Sequence, residues 1–121
     1  MTASKRKGGQ FPRLTKAKFA KMVEQATLDA YGHSEQIIGW FTMIEENLAV
    51  PFETKVPGIQ VTVERVDLDG SEQIVAICRR GRVRQLVPII DLPLPTPLPD
   101  GAEWIEAYRH WRAESDFPGG P

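Results

Sequence analysis

The sequence predicts an α+β fold, with two N-terminal helices, a small bent antiparallel sheet and a C-terminal helix. Three observations predict it. Ile37, Ile38, Phe41, Ile44 and Leu48 recur at the three-and-four spacing of one helix face. Past Pro51 the period changes to two, as Ile59, Val61 and Val63 alternate with Gln60, Thr62 and Glu64. Past the proline run the helical spacing returns in Trp104, Ile105, Tyr108 and Trp111.

Residues 1–12 are polar, basic and Gly-containing, and read as a disordered, solubilising tail, with a nucleic-acid arm as the other reading. Residues 13–115 read as a single domain and 116–121 as a flexible tail. A first helix is expected over 14–30, capped by Thr15. Phe19, Met22, Val23 and Ala26 form its apolar stripe, and Lys16, Lys18 and Lys21 face water. Gly32 and His33 break it from the second helix, with His33 in the loop. Ser34 is the natural N-cap there, and Glu35 suits the positive helix end. Trp40 widens the apolar face, and Pro51 stops the helix because the residue before proline avoids helical geometry.

Strands are expected over 59–64, 72–79 and 82–90, with Phe52 to Val56 as a fourth and Asp91 to Leu94 extending the last. Asp69-Gly70 and Arg80-Gly81 are the hairpin turns. A sheet this small and bent resembles a Src-homology-3-like β-barrel. Ile74, Ala76 and Cys78 share one strand face, so Cys78 is expected to be a small packing residue. The four alternating prolines from Pro93 to Pro99 force an extended strap, with Leu92, Leu94 and Leu98 on the core. Asp100 and Glu103 read as a capping box for a last helix ending near Ala113.

Composition narrows the function. The chain has 121 residues, 41% hydrophobic and 26% charged, which suits one soluble domain. It shows no secretory signal and no membrane-length apolar run, so a soluble cytoplasmic protein is expected. Cys78 is the only cysteine, which excludes an internal disulfide and fits a reducing compartment. With only His33 and His110 beside it, no zinc spacing exists. There is no Gly-rich phosphate loop and no nucleophile in a recognisable motif, so an enzyme is not expected.

Net charge is −1, but unevenly spread. Residues 35–72 hold Glu35, Glu45, Glu46, Glu53, Glu64, Asp67, Asp69 and Glu72 against Lys55 and Arg65. An acidic middle favours a cation. Glu45 and Glu46 sit in the last turn of the second helix, where the dipole is negative and carbonyls lack partners. Such a cluster of hard oxygens is what a calcium ion binds; the alternative is two solvated acids. Asp67, Asp69 and Gly70 do not form an EF-hand. Position one would be Arg65 and position twelve Ala76, and a start at Asp67 puts Glu72 where glycine is required. They read as a hairpin turn that can lend a carboxylate to another kind of site.

The string Asp29-Ala30-Tyr31, Glu35-Gln36, Gly39-Trp40, Ile44-Glu45-Glu46, Leu48 and Pro51-Phe52 resembles the core of the CcbP-type calcium-binding proteins of cyanobacteria and other bacteria. The resemblance covers residues 29–92. It implies a small β-barrel after the helix and a calcium buffer or sensor. With the acidic residues above, it points to Glu45, Glu46 and then Glu53 as ligands, and to Asp67, Asp69 and Glu72 behind them. Glu46 stands where the family pattern has aspartate, which keeps the charge but reaches further.

The rival class is a binding module without metal. Arg79, Arg80, Arg82 and Arg84 decorate one hairpin, where small barrels hold nucleic acid or protein. No aromatic residue interleaves them, which disfavours base stacking, and a solvated hairpin paired with neighbouring acids is the plainer reading.

Overall fold

In the computed structural model, residues 14–115 are described. The two tails expected at 1–12 and 116–121 lie outside them. Helix α1 (Lys16–Ala26) begins where the Thr15 hydroxyl accepts from the Lys18 amide at 3.0 Å, as its sequence predicts. Helix α2 (His33–Asn47) starts two residues earlier than expected, with Gly32 as its cap. Ser34 is therefore inside the helix, and its hydroxyl donates to the Glu72 carboxylate instead of capping. His33 is helical too, and its ring stacks on Trp111 with centroids 5.9 Å apart.

Four strands follow: β1 (Phe52–Lys55), β2 (Gln60–Leu68), β3 (Ile74–Arg80) and β4 (Val83–Pro88). All neighbours pair antiparallel in the order β1-β2-β3-β4. The sheet is open, with β1 and β4 as its two edges, and this corrects the expected Src-homology-3-like barrel. Residues 91–94 explain why. They do not extend β4 toward β1. The chain turns through a short 3-10 helix (Ile89–Asp91) and continues as prolines, which have no N–H to complete a ladder. The strap lies beside β1, where the Thr54 hydroxyl donates to Pro93 O at 2.6 Å.

Register shifts between Val63 and Arg65, leaving Glu64 as the extra residue of a bulge in β2. The alternation slips there, so Val61 and Val63 before it and Val66 after it all join one core. Helix α2 lies across that face, burying Ile37, Trp40, Ile44 and Leu48. Ile38, expected on the same face, is exposed. Gly39 lets α1 and α2 cross closely, since a Cβ there would fall 1.8 Å from the Ala26 carbonyl oxygen. Cys78 is fully buried, and burial pushes its thiol pKa up, as fits a packing residue.

Helix α3 (Ala102–Ser115) closes the core with Trp104, Ile105, Ala107 and Tyr108. It starts later than a capping box at Asp100 requires, and the Trp104 amide bonds to Gly101 O at 3.0 Å. Arg109, which the sequence did not flag, donates to the carbonyls of Ile89 and Leu92 and ties α3 to the start of the strap. Leu92 is fully buried, Leu94 packs on the core and Leu98 is half-buried.

Candidate metal centre

Pro51 shapes the end of α2. The Leu48 amide still closes onto Ile44 O at 2.8 Å. The Ala49 amide, next in line for the Glu45 carbonyl, donates instead to Asp100 O at 2.9 Å. Pro51 has no amide to offer Asn47. The helix thus ends with backbone oxygens out of its ladder, at the negative end of its dipole. Asn47 spends its amide nitrogen on Met43 O at 2.8 Å, leaving its side-chain oxygen as an acceptor. Glu45 and Glu46 are exposed, and neither carries an ion pair or hydrogen bond to a described residue.

The other four candidate carboxylates are elsewhere and are occupied. Glu53 accepts from Gln60 Nε2 at 2.5 Å. Strand alternation puts it on the sheet face away from α2, at a shallow groove of about 360 Å³ between β1 and the strap. Asp67 pairs with Arg65 at 3.4 Å. Asp69 closes the β2–β3 turn, where one oxygen accepts from the Ser71 amide and hydroxyl and from the Gln73 amide. Glu72 takes the Ser34 hydroxyl. That contact places the turn at the N-terminal end of α2, about 16 Å along the axis from Glu45. The six carboxylates therefore do not converge. Among the described residues, no three His, Cys, Asp or Glu side chains stand close enough to hold a metal ion.

The donor chemistry at the end of α2 nevertheless suits calcium. Two carboxylates, an amide oxygen and unclosed carbonyls are all hard oxygens, and calcium completes its shell of six to eight with water. Sequence reasoning missed Asp100. It was read as a cap, but its carbonyl holds the Ala49 amide and so brings its exposed side chain to the same end of the helix. The signal was Asp-Gly after the prolines: Gly101 has φ +85°, which ends the strap in a turn against Asn47.

The arginines are placed differently. Arg79 and Arg84 both pair with Glu64, the latter at 2.9 Å, and Arg80 and Arg82 have no ion-pair partner among the described residues. Arg84 and then Arg79 hold the Glu64 carboxyl below its ordinary pKa, and the Ser71 hydrogen bonds do the same for Asp69. Carboxylates depressed in the fold stabilise it above their unfolded pKa, and that contribution drains away as pH falls through the lowered folded values. The unfolding midpoint is expected to fall below about pH 4, and Glu64→Gln should flatten that part of the profile. A variant profile parallel to the parent's would show that Glu64 has no such linkage.

The family pattern described as calcium binding, that of the CcbP proteins, matches residues 20–112. None of the curated proteins matches the chain. Among solved structures, the chain is similar to the crystal structure of Anabaena CcbP, with 16% identity, 87% of this chain and 95% of that chain covered, and a TM-score of 0.63. It is also similar to a calcium-binding protein in its calcium-binding form, at 14% identity over 95% of this chain and 98% of the other, with a TM-score of 0.66. No helix among the described residues is long and apolar enough to cross a membrane.

Proposed function

The chain belongs to the CcbP family of calcium-binding proteins, and on that premise we propose that it takes up calcium at the C-terminal end of α2, as a buffer or sensor. Glu45 and Glu46 are the charged ligands. The single observation that supports this assignment is that, among the described residues, they are exposed and unpaired beside unclosed helix carbonyls, while Glu53, Asp67, Asp69 and Glu72 are engaged elsewhere. Binding would relieve two acids held against the helix dipole. Few ligands are fixed in advance, so affinity is expected to be weak to moderate, which suits a signal or a store better than a permanent structural ion.

Calorimetric titration with calcium in magnesium-containing buffer tests the reading. Calcium is expected to raise the melting temperature, as any ligand of the folded state does. Replacing both Glu45 and Glu46 with glutamine should lower affinity at least about tenfold, because an amide is a poor substitute for a carboxylate on a hard ion. Without calcium the same variant should gain a few tenths of a kcal/mol from relief of the dipole. No heat and no melting shift at about millimolar calcium would end this proposal. A titration that survives the double substitution would move the ion to Asp67, Asp69 and Glu72 at the other end of α2.

A further inference from the structure

The two sheet edges are treated differently. The strap lies beside β1, whereas among the described residues β4 has β3 as its only strand neighbour. Val83 and Leu86 on β4 are 66% and 57% exposed. Gly81, with φ +61°, and Arg82 make the two-residue turn closed by the Arg80–Val83 pair. Antiparallel alternation from that pair turns Val83, Gln85 and Val87 toward β3, and the backbone groups of Arg84 and Leu86 toward the free edge. Pro88 follows in that alternation and offers a carbonyl only. The open edge is therefore short, with apolar side chains and two outward amides.

Charge selects the occupant. The hairpin carries four arginines, and among the described residues Glu64 is the one acid paired with them, leaving Arg80 and Arg82 without a described acid beside the edge. A second copy would bring an equally positive hairpin, and charges and proline on an edge are the usual guard against that. We propose that the β4 edge docks an extended segment of another protein, alternating acidic and β-branched apolar residues. Its backbone would pair with Arg84 and Leu86, its acids would face Arg80 and Arg82, and its apolar side chains, all on the opposite sheet face, would cover Leu86. This surface is separate from the end of α2 and does not depend on calcium.

The probe is a labelled octapeptide of alternating glutamate and valine, followed by fluorescence anisotropy and amide hydrogen exchange. Saturable, salt-weakened binding is expected, with slowed exchange at Arg84 and Leu86. Arg80→Gln with Arg82→Gln should weaken it at least about tenfold while the circular dichroism spectrum and the calcium titration stay as they were. The same peptide N-methylated along one edge keeps its charge but cannot pair, and should bind at least about tenfold more weakly. Equal binding of the methylated peptide, unchanged exchange at Arg84 and Leu86, or no binding at about millimolar peptide overturns the proposal. So does tighter binding of single-stranded oligothymidylate, which would make the surface a nucleic-acid site, or self-association through this hairpin.

Discussion

Replacing Trp40 with alanine is expected to cost about 3–5 kcal/mol, the range for deleting a buried large aromatic. Trp40 is fully buried, and its ring lies 6.1 Å from Trp104, 5.9 Å from Tyr108 and 5.6 Å from Trp111. All three partners belong to α3, so this one side chain on α2 holds the last helix to the first layer. The substitution leaves a cavity bordered by rigid rings that have little freedom to collapse into it. Trp40→Phe supplies the contrast. Among the described residues the buried indole N–H has no acceptor, so losing it removes an unsatisfied donor while most of the ring contact stays. A cost of about 1–2 kcal/mol is expected for that variant. Urea denaturation of both decides it. Equal losses would mean that the ring contacts with α3 contribute little, and an unchanged midpoint for Trp40→Ala would remove Trp40 from the core.

What was legible in the sequence is what local pattern determines. The buried face of α2 was readable because apolar spacing of three and four can be satisfied in few other ways, and Thr15 capped as its chemistry requires. The two hairpins were readable from Asp69-Gly70 and Arg80-Gly81, whose backbone preferences are short-range. The misses are all tertiary. Ser34 had the chemistry of a cap, but Glu72, distant in sequence, takes its hydroxyl. The bulge at Glu64 interrupts an alternation that looked continuous, because two arginines on later strands draw that carboxylate outward. A strand count alone predicts a closed barrel, but the prolines after β4 have no N–H to supply a closing ladder.

The candidate site divides along the same line. Glu45 and Glu46 stand out as candidates because a helix C-terminus with two acids and no base is locally unfavourable, and the family resemblance adds to that pattern. Glu53 looked adjacent in sequence, yet strand alternation sends it to the far face of the sheet. Asp67, Asp69 and Glu72 looked like one acidic cluster, and each is engaged by its own hairpin or by α2. Asp100 had only the Asp-Gly after the prolines as a local sign, because a backbone bond to Ala49 is what brings it near.

That junction gives the second large effect. Gly101→Ala is expected to destabilise the fold by about 2–5 kcal/mol, from two additive sources. At φ +85° an L side chain is strained, at about 1–2 kcal/mol. The new Cβ would lie 2.0 Å from Asn47 O and 2.8 Å from Leu48 Cα, so backbone must move, at a further 1–3 kcal/mol or about that order. The motion has a direction: it pushes the start of α3 away from the end of α2, lengthening the Ala49–Asp100 hydrogen bond. Hydrogen exchange at the Ala49 amide should therefore accelerate beyond the global loss of stability. Gly70→Ala is the control, since a Cβ there meets nothing within 4 Å and a change within about 0.5 kcal/mol is expected. If calcium is held beside this junction, Gly101→Ala should also weaken its binding, whereas Gly70→Ala should not. A stable Gly101→Ala protein with normal protection at Ala49 would mean that the two helices meet loosely there, and that the end of α2 is not held in one geometry for an ion.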